Sequence, residues 1–123
     1  MLLIEDHDAA RRGFAELLTS HGYDVLEAAT GLDGLASASA CAPDVIVLDL
    51  GLPDIDGWSV VRKLKAMPTT ATVPLIALTG ADLPDERASS LRAGCAIHLG
   101  KPCPPDRLLD ALRQMLCPDG SGA

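Results

Sequence analysis

Apolar residues in this chain come in short runs, separated by longer stretches where they return every three or four positions. The runs are Leu2–Ile4, Asp24–Ala28 (through Val25 and Leu26), Val45–Leu48, Leu75–Leu78 and Ala96–Leu99, and each reads as a strand. The stretches between them carry helical spacing. Phe14, Leu17, Leu18 and His21 mark one face, and Leu32, Leu35, Ala36 and Ser39 a weaker second. Val60, Val61, Leu64 and Met67 give a third, Ala88 and Leu91 a thin fourth, and Leu108, Leu109, Leu112 and Met115 a clear fifth. Punctuation agrees with this division. Gly22 and Gly94 stand at helix ends, Pro43-Asp44 and Pro74 precede strands, and Pro104-Pro105 opens the last helix. Pro53, Asp56 and Gly57 read as turn formers leading into the third helix, which Trp58 opens as a partly exposed residue.

Strands alternating with helices require parallel pairing through right-handed crossovers, hence an α/β fold with a central sheet covered on both faces. The third and fourth runs are nearly all apolar, as doubly buried strands should be. The division predicts one domain over residues 1–117 and a disordered Gly-, Ser- and Pro-rich tail over 118–123.

Composition narrows the class. Hydrophobic residues make up 48% of the 123, with one Phe, one Trp and one Tyr, so the core must be aliphatic. The formal charge is −7 with no run of Lys or Arg, which disfavours nucleic acid and anionic membrane surfaces as direct partners. Cys41, Cys95, Cys103 and Cys117 form no CxxC pair and no zinc spacing, and read as apolar fillers or surface thiols in a reducing compartment. Met1–Ile4 runs straight into acids, unlike a signal peptide, and no apolar run approaches the roughly 18 residues that span a bilayer. A soluble, cytoplasmic monomer is expected.

In open α/β sheets, ligands bind outside the carboxyl ends of the strands. The first run ends in Glu5-Asp6, the third in Asp49, the fourth in Thr79 and the fifth in Lys101-Pro102, whereas the second ends in Ala28-Ala29 and offers nothing polar. Carboxylates gathered at one edge repel one another, and a divalent cation would remove the conflict. An all-oxygen ligand set favours magnesium or manganese over zinc. A carboxylate could then attack a phosphoryl donor in line, with an ammonium such as Lys101 and a hydroxyl such as Thr79 stabilising the phosphoryl oxygens.

With LLIEDHD at the start, VIVLDLGLPDIDGW in the middle, then LIALTGA and AGCAIHLGKP, the chain resembles receiver domains of two-component systems over nearly its whole length. In style it is most similar to the receivers of hybrid histidine kinases. The resemblance implies a flavodoxin-like (βα)5 fold with a five-stranded parallel sheet of order 2-1-3-4-5. It implies that Asp49 is the phosphoacceptor, and that Glu5, Asp6, Asp49 and the backbone carbonyl of Gly51 hold Mg2+, with Mn2+ as an alternative. Lys101 would pair with the phosphoryl group, aimed by a cis peptide before Pro102, and Thr79 would sense it. His98 stands where receivers often carry a Tyr or Phe whose rotation reports phosphorylation, and a switch role is expected for it. His7 is expected to be a solvated loop residue, and Asp8 to be better placed than Glu5 or Asp6 to cap the first helix. Gly51 and Ala81 carry no polar side chain to orient water, which predicts a long-lived phosphoryl group.

The function so implied is a phosphoacceptor in a His-Asp phosphorelay. Mg-dependent transfer from a histidine kinase or histidine phosphotransfer domain, or from a small phosphodonor, would switch a face made by the fourth helix, fifth strand and fifth helix. Enzymatic action would be limited to the domain's own phosphorylation and slow autodephosphorylation. Two rivals remain. A phosphorylation-independent interaction module tends to lose the acids or the lysine, which are all present here. A phosphatase working through an aspartyl phosphate commonly carries DxD after the first strand, and IEDHD offers that spacing only as Asp6-His7-Asp8.

Overall fold

The five apolar runs become five strands of one parallel sheet: β1 (Leu2–Ile4), β2 (Leu26–Ala28), β3 (Ile46–Asp49), β4 (Leu75–Thr79) and β5 (Ile97–Gly100). The computed structural model describes residues 1–41, 43–49, 57–79, 97–100 and 105–116. The strand order is β2-β1-β3-β4-β5, the flavodoxin-like order that the motifs imply. β2 is shorter than the run that predicts it. It sits at the edge of the sheet with β1 as its one neighbour, and a three-residue β1 limits it to the pairs Leu2↔Leu26, Leu3↔Glu27 and Ile4↔Ala28. The ladder is extended by single bonds, from Leu26 N–H to the Met1 carbonyl at 2.9 Å and from Glu5 N–H to the Ala28 carbonyl at 3.0 Å.

Alternate strand residues supply two cores, one on each face. Leu2, Ile4, Ile46, Leu48, Leu75 and Ala77 pack with Ala38, Val60, Val61 and Leu64 of α2 (Gly31–Cys41) and α3 (Gly57–Ala66). Leu3, Val47, Ile76 and Leu78 pack with Ala15 and Leu18 of α1 (Asp8–Ser20) and with Leu108, Leu109, Ala111 and Leu112 of the C-terminal helix Pro105–Leu116. Each fully buried Leu, Ile or Val contributes roughly 1.5–3 kcal/mol relative to an exposed one. Leu2–Ile4, Ile46–Leu48 and Leu75–Leu78 are therefore apolar throughout, because neither face of these inner strands is left to solvent, whereas the edge strand β2 exposes Leu26 and Glu27.

The first two helices differ from the sequence reading in detail. In α1 the buried residues are Arg11, Ala15 and Leu18, with Phe14 and Leu17 partly buried, while His21 is the exposed C-cap. Gly22 follows with φ +91°. There its N–H bonds the Thr19 carbonyl at 3.0 Å and the Tyr23 N–H bonds the Leu18 carbonyl at 3.1 Å, a Schellman closure of the helix. Asp8 is not the N-cap. It is the first helical residue and pairs with Arg11 at 2.8 Å, while His7 occupies the cap position without a side-chain bond to the helix.

The face predicted for α2 holds at Leu35, which is partly buried against the core, and is corrected at its other three positions. Gly31, Gly34 and Ala38 are buried, whereas Leu32 is 61% exposed and Ala36 and Ser39 face solvent. The helix lies so close to β1 that a Cβ on Gly34 would stand 2.4 Å from Ile4 Cδ1. Such an approach selects the smallest residues and turns the larger Leu32 outward. In α3 the predicted face holds, with Val60, Val61 and Leu64 buried and Met67 packed against them. The buried Thr70 hydroxyl donates to the Leu64 carbonyl and closes that helix's end. The thin fourth helical face at Ala88 and Leu91, the Trp58 side chain and the 118–123 tail lie outside the described residues. Among the described residues no helix is long and apolar enough to cross a membrane.

Candidate functional site

Register places the predicted residues at one edge. Ile4 pairs with Leu48, so the next residues of the two strands, Glu5 and Asp49, leave the sheet level with each other. Asp49 in turn pairs with Leu78, and Thr79 with Gly100, so the backbones of Thr79 and Gly100 reach the same carboxyl-terminal edge. β2 delivers only Ala28 there, as the sequence suggests.

Glu5 and Asp49 are each 2% exposed and the Asp6 side chain 23%. One donor atom from each of Glu5, Asp6, His7 and Asp49 falls within 4.8 Å of all the others. Two full negative charges at that separation repel by about 3.5 kcal/mol at an effective dielectric near 20. A cation among the carboxylates, or a proton on one of them, relieves that repulsion. Asp6 is compatible with a cation: its Oδ1 atom is buried and has no hydrogen-bond partner among the described residues, with His7 Nδ1 at 3.3 Å. Buried polar atoms are nearly always satisfied, so an orphaned carboxylate oxygen beside two buried acids fits a metal ligand. The donor set therefore suits a hard divalent ion.

Two residues outside the expected set shape this edge. The Arg11 side chain is largely buried, and its Nη1 donates to the Glu5 carbonyl at 3.1 Å, its Nη2 meets Asp8 at 2.8 Å and its Nε meets Glu27 at 3.2 Å. The hydrogen bond to Asp8 chiefly holds the guanidinium above its ordinary pKa, against burial and with Glu27 adding to it. Arg11 thus ties the turn after β1 to α1 and to the edge strand. His7 is 69% exposed, as a solvated loop residue should be, yet its Nδ1 turns inward. That nitrogen lies 3.0 Å from Glu5 Oε1 and 3.3 Å from Asp6 Oδ1, with hydrogen-bond geometry only to Glu5. The sequence holds a clue in the Glu5-Asp6-His7 succession, but nothing in it signals Arg11.

Of the other predicted site residues, Gly51, Ala81, Lys101 and Pro102 lie outside the described residues, as do the side chains of Thr79 and His98. The backbone of His98 pairs with Ala77 in the interior of the β4/β5 ladder.

Comparison with known proteins agrees with the geometry. The response regulator PleD of Caulobacter vibrioides is 35% identical over 115 residues, which are 94% of this chain but 25% of PleD. The protein PilH of Pseudomonas aeruginosa is 29% identical over 116 residues, covering 94% of this chain and 96% of PilH. The chain thus spans a quarter of the one relative and nearly all of the other. Among solved structures, the receiver domain of the sensor histidine kinase PA1611 of Pseudomonas aeruginosa superposes with a TM-score of 0.86 at 34% identity, over 94% of this chain and 95% of that one. That receiver carries a magnesium ion coordinated in its active-site cleft. The profile of the response regulator receiver domain matches residues 1–113, a span that includes Glu5, Asp49 and Lys101. With that match over almost its full length, the chain belongs to the response regulator receiver domain family.

Proposed function

We propose that this chain is a phosphoacceptor module of a His-Asp phosphorelay, in which Asp49 takes a phosphoryl group from a partner's phosphohistidine or from a small phosphodonor. The observation that carries this reading is the position of Asp49. It is buried at the end of the central strand β3, with its carboxylate among those of Glu5 and Asp6. Glu5, Asp6 and Asp49, with the Gly51 carbonyl, would hold Mg2+, and Mn2+ would serve in its place. When bound, the ion supplies charge neutralisation for the carboxylates and for the incoming phosphoryl oxygens. The magnesium in the PA1611 receiver supports that choice of ion.

Asp49 presents a carboxylate oxygen to phosphorus; the O–P bond forms as the P–N bond to the donor imidazole breaks, and the electron pair departs with that nitrogen. Lys101 and Thr79 serve as the remaining donors to the phosphoryl oxygens. The added charge then biases a pre-existing equilibrium at the neighbouring face, with His98 as the switch residue. The partner is a histidine kinase or histidine phosphotransfer domain. The module acts in the cytoplasm as a monomer and turns over no substrate beyond its own phosphorylation and slow hydrolysis.

Incubation with magnesium and acetyl phosphate followed by intact mass measurement tests the reading. A gain of about 80 Da is expected, lost with Asp49→Ala. No gain, or a gain that survives Asp49→Ala, overturns it.

A further inference from the structure

Among the described residues, His7 is the one nitrogen donor in an otherwise all-oxygen cluster. Its backbone caps α1, but its side chain makes no bond to that helix. Nδ1 instead is turned to the carboxylates, 3.0 Å from Glu5 Oε1 and 3.3 Å from Asp6 Oδ1. These are a hydrogen-bond and an ion-pair distance, and they hold Nδ1 in the same group of possible ligand atoms as the Glu5, Asp6 and Asp49 oxygens. The widest donor separation, within 4.8 Å, needs only small side-chain movements to reach the trans span of about 4.2 Å around an octahedral ion. An exposed imidazole on a loop makes such movements freely.

We infer that His7 is a specificity-determining ligand: its Nδ1 joins the Glu5, Asp6 and Asp49 carboxylates around the ion and shifts the site from Mg2+ toward borderline divalent cations such as Mn2+ and Co2+. The inference rests on the metal site proposed above and deepens it. Magnesium gains little from imidazole, preferring oxygen and retained water, whereas later first-row ions bind imidazole well. As a ligand, Nδ1 would offer its lone pair to the ion in place of the hydrogen bond to Glu5, leaving the ring proton on Nε2. Asp6 Oδ1, the buried oxygen without a hydrogen-bond partner, lies beside that nitrogen. The all-oxygen set expected from the sequence thereby becomes a mixed one.

The test uses the full chain loaded with Mn2+ and read by electron spin-echo envelope modulation, together with calorimetric titrations of Mg2+ and Co2+. Nitrogen-14 coupling to manganese is expected in the parent chain and lost in His7→Gln. The ratio of Co2+ to Mg2+ affinity should fall at least about tenfold in the same variant, the loss typical when a metal-site partner is removed. Bound manganese without nitrogen coupling, coupling that persists in His7→Gln, or an affinity ratio changed less than twofold would overturn the assignment of His7 alone. Failure of the parent chain to bind Mg2+, or binding that survives Asp6→Asn and Asp49→Asn together, would overturn the carboxylate site itself and this inference with it.

Discussion

Gly34→Ala sets helix propensity against a collision, and the geometry decides the sign. In an open helix interior, Ala would be favoured over Gly by about 1 kcal/mol. Here the added Cβ would lie 2.4 Å from Ile4 Cδ1, 2.8 Å from Cγ1 and 3.2 Å from Cγ2. Rotation about χ2 moves Cδ1 alone. Cγ1 and Cγ2 are set by χ1, which is stiff in a β-branched residue. Ile4 is fully buried in the same cluster as Leu2, Ala38, Ile46 and Leu48, so it has no solvent to swing into. Overpacking of this kind costs about 1–3 kcal/mol, and contact with both branches argues for the upper part of that range. The net expectation is a loss of about 1–2 kcal/mol, read as a lower urea midpoint with unchanged slope. Ile4→Val removes the closest atom, so the double variant should recover about 1 kcal/mol relative to additivity. Ile4 runs directly into Glu5 and Asp6, so the displaced strand should also weaken magnesium binding. A Gly34→Ala chain as stable as the parent, or a strictly additive double variant, would refute the close-packing argument.

Other expectations follow from single contacts. Arg11→Met keeps much of the apolar stem but removes the bond to the Glu5 carbonyl together with the contacts to Asp8 and Glu27; a loss of about 1–2 kcal/mol in urea unfolding is expected, and unchanged Mg2+ affinity in calorimetry would count against Arg11 as a positioning residue. Gly22→Ala should cost about 1 kcal/mol through backbone strain alone, since φ is +91° and no atom lies within 4 Å of the added Cβ; thermal unfolding checks it, and Gly22→Asn should cost less. Thr70→Val preserves shape but deletes the hydroxyl that donates to Leu64, with an expected loss of about 1 kcal/mol in the same measurement.

Much of the fold and part of the site can be read from the amino-acid sequence, for a physical reason. Strands buried on both faces must be apolar along their length, so Val45–Leu48 and Leu75–Leu78 announce themselves, and the acids that follow β1 and end β3 fall at one edge of a parallel sheet. The strand order, by contrast, came with the family resemblance and not from periodicity. The buried face of α2 was not legible, because glycine and alanine carry little weight in a hydrophobic pattern although close helix–strand contact selects them. Gly34 is defined by Ile4, thirty residues earlier in the chain and in contact only after folding. Arg11 likewise looks like an ordinary helix-surface cation until β2 brings Glu27 and the turn after β1 brings the Glu5 carbonyl to it. The acids of the site are thus written in the sequence by type and spacing. The orientation of His7 toward them is a property of the tertiary structure, since the direction of its ring depends on where the turn after β1 meets β3.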